Sequence, residues 1–368
     1  MTPQLTVGFD ARLLAHETTP TGVGQYTRQL LNELWNQPGL GLRLYCDKQI
    51  PGETVHVVNR WPGLPWQQTA LVWALRRDRP QVYHAPSFSI PMRSPVPTVV
   101  TVHDLSFERY PEYVQPDTQR YLRRMVPASI RRATRIITPS RQIAEELAAY
   151  YHLDEETAGR LRPIPLGVDR NLWKPAPLEA VVRWKKRNDL EHPYLLFVGT
   201  REPRKNLVRL TSAYARVRTR LRDVELVLAG PDGPRNETLA RLMENTPGVR
   251  VLPYVAQADL PYLVQGALGL CYVSEYEGFG LPVVEAMAVG TPVLTTRGSA
   301  MAEVAGPWAV YTSPDDVEDI ADGLLQLVAE SHLRRQAADQ ARAVASKYTW
   351  AETARRTADV YKELAEAE

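Results

Sequence analysis

The chain has 368 residues, 44% of them hydrophobic and 23% charged, with a net charge of +2. That length suits two domains with sizeable cores, and so small a charge excludes the globally basic surface of a nucleic-acid binder. Two cysteines far apart in sequence, Cys46 and Cys271, exclude a disulfide framework and suit a reducing cytoplasm.

The first residues run straight into a strand, without the basic segment and apolar stretch of a signal peptide. No run reaches the roughly 18 apolar residues of a membrane span, so a soluble, cytoplasmic protein is expected. Short β-branched runs predict strands over 5–9, 42–46, 55–58, 82–85, 98–102 and 136–138. A second series covers 194–199, 224–229, 249–252, 268–273, 293–295 and 309–312. Helical patterns fall between them, which predicts an α/β fold with parallel sheets covered by helices. The proline-dense stretch 163–177 reads as an extended linker between the halves. The tail beyond residue 332 is helical in pattern and broken near 348–350.

In the first half, Gly22 and Gly24 precede a helix expected from about residue 27. They lack the third glycine of a dinucleotide fingerprint, so a plain loop and a ligand-approaching loop both stay open. His103 and Asp104 close the strand 98–102, at the carboxyl edge where open sheets hold ligands. Asp104 has a second reading, as the cap of the next turn, and Ser140 reads as an N-cap. Arg120, Arg123, Arg124, Arg131, Arg132 and Arg135 alternate with Leu122, Met125, Val126 and Ile130. Such a helix either packs its apolar stripe inward or rests on an anionic membrane.

In the second half, Gly199 ends a strand, and Arg204 and Lys205 follow where cations can face a diphosphate. Residues 277–293 read EGFGLPVVEAMAVGTPV. Pro282 suits the first helical position, Gly290 suits the helix stop, and a strand follows. The N–H groups at such a helix start form a ready phosphate site, bracketed by Glu277 and Glu285. A retaining glycosidase pair needs carboxyls about 5–5.5 Å apart. Eight helical residues span roughly 12 Å, so the two glutamates read as binding groups for separate parts of one ligand. No His, Cys, Asp or Glu cluster has metal-ligand spacing.

The same string closely resembles the signature of the family 4 retaining nucleotide-sugar glycosyltransferases, which have the GT-B fold. The resemblance covers essentially the whole chain and is strongest over 194–305. It implies two Rossmann-like domains facing a central cleft. Residues 1–170, completed by a returning helix at about 352–368, would form the acceptor domain, and 171–351 the donor domain. It also implies that Lys205, Arg204 and Gly199 meet the donor diphosphate, Glu277 the donor sugar and Glu285 the ribose. Backbone N–H groups at Gly278, Phe279, Gly280 and Leu281 would meet sugar and phosphate. Gly22 and Gly24 would approach the donor phosphates and the acceptor, and His103 the transferred sugar. Thr200 stands where many relatives have arginine, which leaves Arg201 open, as Asp104 is. The family works without a metal or cofactor and retains configuration by front-face attack through an oxocarbenium-like state. The strings GTREPRKN and EGFGLPVVE look most like bacterial mannosyltransferases of polysaccharide assembly. GDP-mannose is therefore the first donor expected, with UDP-glucose or another UDP-sugar next. The acceptor would be a glycan or a lipid-linked sugar, and the protein would sit in the cytoplasm or peripherally on the inner face of the cell membrane. A nucleotide-sugar epimerase and a non-catalytic nucleotide-sugar-binding protein remain as alternatives.

Overall fold

The computed structural model describes residues 5–16, 21–50, 54–57, 65–233, 237–329 and 331–366. The chain divides into two compact units, Met1–Gly167 with Trp350–Glu368, and Val168–Thr349.

The first unit holds β1 (Leu5–Asp10), β2 (Leu40–Cys46), β3 (Val55–Val57), β4 (Val82–Ala85), β5 (Thr98–Thr101), β6 (Arg135–Thr138) and β7 (Leu161–Pro163). They form one parallel sheet in the order β3-β2-β1-β4-β5-β6-β7. Val7, Phe9, Val99, Val100, Ile136 and Ile137 are buried, as parallel strands covered by helices on both faces must be. Strand order reverses between β1 and β4, the switch point at which such sheets bind ligands. The C-terminal helix Trp350–Glu366 belongs to this unit and packs on the helix Gly22–Leu34 and on β1 and β4.

The second unit holds β8 (Tyr194–Val198), β9 (Glu225–Ala229), β10 (Val249–Leu252), β11 (Gly269–Tyr272), β12 (Val293–Thr296) and β13 (Ala309–Thr312). Their order is β10-β9-β8-β11-β12-β13, again all parallel. Its switch point lies between β8 and β11.

Three expectations change. The first residue of the stretch read as a linker is the last of a strand: β7 pairs with β6, and Pro163 is tolerated because it ends an edge strand. The helix expected from residue 27 begins at Gly22, because the Thr21 hydroxyl accepts from the Gly24 N–H at 3.1 Å and caps it. The arginine-rich helix is Pro116–Arg132, and Arg135 is instead the first residue of β6, paired with Glu363 at 2.7 Å. Val58, expected in a strand, lies outside the described residues.

Candidate active site

In the second unit the loops after β8 and β11, neighbours at the switch point, bring their charged residues together. After β8 the chain makes a tight turn at Pro203–Lys205 and starts the helix Leu207–Leu221 from Asn206, whose φ is +61°. The Asn206 amide braces this turn by donating to the carbonyls of Val273, at 3.1 Å, and Pro314, at 2.6 Å. Lys205 is thereby aimed inward, and its ammonium contacts Glu277 and donates to the Tyr272 hydroxyl at 2.9 Å. Arg204 reaches the other oxygen of Glu277 at 3.0 Å and Glu202 at 2.7 Å. Phe197 of β8 and Tyr272 of β11 stack beneath, with centroids 5.7 Å apart.

Burial alone would raise the Glu277 carboxyl, but the adjacent Lys205 and Arg204 outweigh it and hold its pKa at about 2. Burial lowers the Lys205 ammonium from its ordinary value, and Glu277 opposes that loss.

The helix Leu281–Val289 opens just beyond Glu277. Its cap, Gly280, has φ +100°, and a Cβ there would come within 2.7 Å of Met301, so the turn requires glycine. Pro282 occupies the second helical position, where its missing N–H costs no bond. Among the described residues, nothing accepts from the N–H groups of Phe279, Gly280 or Leu281. They leave the positive end of the helix available to an anion. Glu285 is the fifth helical residue and not the fourth, because the helix starts at Leu281, one residue before the expected Pro282. It has no hydrogen-bond partner among the described residues, and burial raises its carboxyl to about 8.

Arg201 is turned away from this cluster. Its buried guanidinium pairs with Asp232 at 2.6 Å and donates to the Gly230 carbonyl, tying the loop after β8 to the loop after β9. The two loops approach closely at Gly230, where a Cβ would meet the Gly199 carbonyl.

Gly22, Gly24, His103 and Asp104 belong to the first unit. His103 is buried, and its Nε2 lies 2.7 Å from the Pro86 carbonyl. A carbonyl only accepts, so Nε2 carries the proton and Nδ1 keeps a lone pair. Burial lowers the ring's pKa, with the Pro86 bond and Asp104 opposing. Tyr26, one turn beyond Gly22, packs edge-on against His103 at 4.8 Å. Asp104 accepts from the Ser106 N–H at 2.9 Å, the turn cap that the sequence allowed.

Sequence reasoning missed Tyr272, Glu202 and the buried relay behind His103. Tyr272 sits in a run read simply as an apolar strand. The relay joins the Tyr361 hydroxyl to His84 Nδ1 at 2.6 Å, His84 Nε2 to Thr101 at 2.9 Å and Thr101 to Tyr26 at 3.0 Å. Its members come from four distant segments, and no local spacing links them. Glu202 was the one within reach, three residues before Lys205 in a charged turn.

Residues 180–344 match the family model of Glycosyl transferases group 1, and residues 20–172 that of Glycosyltransferase Family 4. An O-antigen chain mannosyltransferase B from Escherichia coli is 33% identical over 297 residues, covering 79% of this chain and 77% of that protein. The chain belongs to the family 4 glycosyltransferases.

Another relative of this glycosyltransferase is an MMP alpha-(1->4)-mannosyltransferase of Mycolicibacterium hassiacum. It is 30% identical, over 63% of this chain and 54% of the relative. A sucrose-phosphate synthase from Thermosynechococcus elongatus superposes with a TM-score of 0.77 at 19% identity, over 99% of this chain and 100% of the other. An Anabaena protein solved with UDP and glucose superposes at 0.75 and 18% identity, over 98% and 100%. At such identities the likeness is one of fold, and the fold is that of the GT-B glycosyltransferases. No described helix of this glycosyltransferase is long and apolar enough to cross a membrane.

Proposed function

We propose that this glycosyltransferase moves mannose from GDP-mannose to a hydroxyl of a glycan or lipid-linked acceptor, with retention of configuration and without a metal or other cofactor. The observation that carries this reading is the meeting of Arg204, Lys205, Glu277 and the unpartnered N–H groups of Phe279, Gly280 and Leu281 at one switch point. Two cations and a helix end together suit a diphosphate leaving group, because preorganised charge stabilises the developing negative oxygen without reorganising. The departing diphosphate would take the acceptor's proton, so the protein contributes mainly orientation and charge. The mannosyltransferases among its relatives favour mannose over glucose as the sugar. We place the protein in the cytoplasm, with a peripheral membrane contact through the helix Pro116–Arg132 as the one route by which it would reach lipid-linked acceptors.

In this scheme Glu285 holds the ribose, Glu277 the transferred sugar, and His103 the sugar near the reacting centre, while Gly22 and Gly24 let the first unit's backbone approach the substrates. The test is a calorimetric titration of each folded variant with GDP and UDP, followed by donor turnover. Glu285→Ala is expected to weaken nucleotide binding by about 1.5–3 kcal/mol, the range for charge-assisted hydrogen bonds. Glu277→Ala and His103→Ala should leave nucleotide affinity nearly unchanged and lower turnover instead. Equal weakening by both glutamate variants, with turnover at saturation preserved, would overturn this division of roles. A parent protein that prefers UDP would move the donor to the UDP-sugars.

A further inference from the structure

A cavity of about 380 Å³ opens in the first unit, within the range of small-molecule pockets, about 300–1,000 Å³. It lies at the carboxyl ends of β1 and β4, the strands between which the order reverses. In the second unit the corresponding position is occupied by the Lys205–Glu277 cluster. None of the side chains assigned to the donor above lines this cavity.

Its walls are fixed by buried polar contacts. Gln67 is fully buried and donates to the Ser89 carbonyl at 2.9 Å, and the Ser89 hydroxyl lies 2.7 Å from that of Tyr121. Asp10 is gripped by Arg12 at 2.7 Å and accepts from the Tyr83 hydroxyl at 3.1 Å. Phe88 holds φ +56°, a conformation that costs a bulky residue energy and clusters at functional sites. Its ring packs edge-on against His103 at 5.5 Å. One loop, from Pro86 to Ser89, therefore lines the cavity and also fixes His103 through the Pro86 carbonyl.

The charges and hydroxyls select the occupant. Among the described lining residues the only guanidinium, that of Arg12, is already engaged by both oxygens of Asp10. Asp47 offers one oxygen to His16 at 2.6 Å, and its other oxygen has no described partner. The Ser87 hydroxyl is likewise unpartnered among the described residues. With two carboxylates against Arg12, the lining is neutral if His16 is protonated and negative if not. An entering phosphate would meet a carboxylate oxygen and no unengaged cation. A sugar hydroxyl would find an acceptor in Asp47 and both functions in Ser87, and Phe88, Leu13 and Leu122 offer apolar surface to ring C–H groups.

We propose that this cavity binds a terminal, uncharged pyranose of the acceptor and discriminates against phosphorylated acceptors. The inference rests on the glycosyl-transfer reading for the word acceptor, but the pocket and its preference for neutral sugars stand on their own chemistry.

The test titrates the full chain, in saturating GDP, with methyl α-D-mannopyranoside, its 6-phosphate and inorganic phosphate, read by saturation-transfer NMR. The neutral glycoside is expected to bind at least tenfold more tightly than the 6-phosphate. Ser87→Leu, which fills the cavity, should weaken glycoside binding at least tenfold, and Asp47→Asn several-fold. GDP affinity should stay within twofold of the parent in both, and unchanged hydrogen-exchange protection of β1 and β4 shows that the first unit of each variant folds. Absent glycoside binding, binding unchanged in both variants, or equal or tighter binding of the phosphorylated probe would overturn the proposal. Glycoside binding that depends on Ser87 and Asp47 in a protein without nucleotide-sugar turnover would sink the transferase reading and leave the pocket standing.

Discussion

Glu277 and Glu285 stand eight residues apart in one string, and their surroundings push their carboxyls in opposite directions. Lys205 and Arg204 keep Glu277 ionised, with a pKa of about 2, while unrelieved burial raises Glu285 to about 8. The difference follows from placement: Glu277 precedes the helix and faces the loop after β8, whereas Glu285 lies a turn inside it with no described partner. Two cations thus keep one carboxylate charged, and burial without a described partner favours the neutral form of the other.

The first prediction concerns pH. Below about 8 the free protein keeps Glu285 protonated. Ribose hydroxyls donate preferentially to a carboxylate, so nucleotide binding should release a proton there. Affinity for GDP should therefore rise from pH 6 to pH 8, by less than about tenfold per pH unit for one proton, and then level off. In Glu285→Gln the slope should vanish. Calorimetry in buffers of different ionisation enthalpy measures both quantities. A parent slope equal to that of the variant would remove Glu285 from the ribose site.

Lys205 and Glu277 should be strongly coupled, since both side chains are largely withdrawn from water. Lys205→Ala leaves the buried Glu277 carboxylate paired with Arg204 but without its closer cation, and should cost roughly 1.5–3 kcal/mol of stability. Removing Glu277 as well should recover part of that loss, giving a coupling energy of about 1–3 kcal/mol, without restoring turnover. Urea unfolding of the four proteins of the cycle provides the check, and strictly additive losses would contradict it.

Both sheets were legible in the sequence because their strands are short and apolar, and the central ones are buried. All twelve predicted strands are present, apart from Val58 in the undescribed part. The strand β7 escaped because Leu161–Pro163 is too short and proline-marked to stand out from the segment that follows. Gly22 and Gly24 were taken for a loop before a helix because glycine is a poor helix former, and the Thr21 cap overrides that preference. At the site, loop residues with a motif, such as Lys205 and Glu277, could be read in advance. Arg201 could not, because its role is set by Asp232, thirty-one residues away. The pocket at Asp10 and Ser87 was invisible for the same reason: its walls meet only after folding.

The buried relay adds the Tyr361–His84 hydrogen bond to the contacts, such as Arg135–Glu363, that hold the C-terminal helix to the first unit. Burial pushes the His84 imidazole down to about 3, so it stays neutral and satisfied by Tyr361 and Thr101. Tyr361→Phe leaves Nδ1 without its partner, at a cost of about 1–3 kcal/mol. Hydrogen exchange within Trp350–Glu366 should accelerate accordingly, and unchanged protection would show that the bond adds nothing.

Membrane contact, if the helix Pro116–Arg132 makes it, should be weak. Arg123 pairs with Glu108 at 2.7 Å and Arg120 with Asp117 at 3.2 Å, while Met125, Val126 and Ile130 are buried in the first unit. Only the exposed arginines remain for anionic lipid, each contributing about 1 kcal/mol near the surface. Flotation with anionic vesicles should be salt-sensitive and fall when Arg123, Arg124, Arg131 and Arg132 become serine. Flotation that survives this change would exclude the helix as the contact.

The most direct test of the central claim is proton NMR of the anomeric region while the protein acts on GDP-mannose and a mannoside acceptor in excess EDTA. The account predicts a new α-mannoside signal, formed with the donor's configuration and at an undiminished rate under chelation. A β-linked product, a reaction restored only by a divalent ion, or no transfer from GDP-mannose would contradict it.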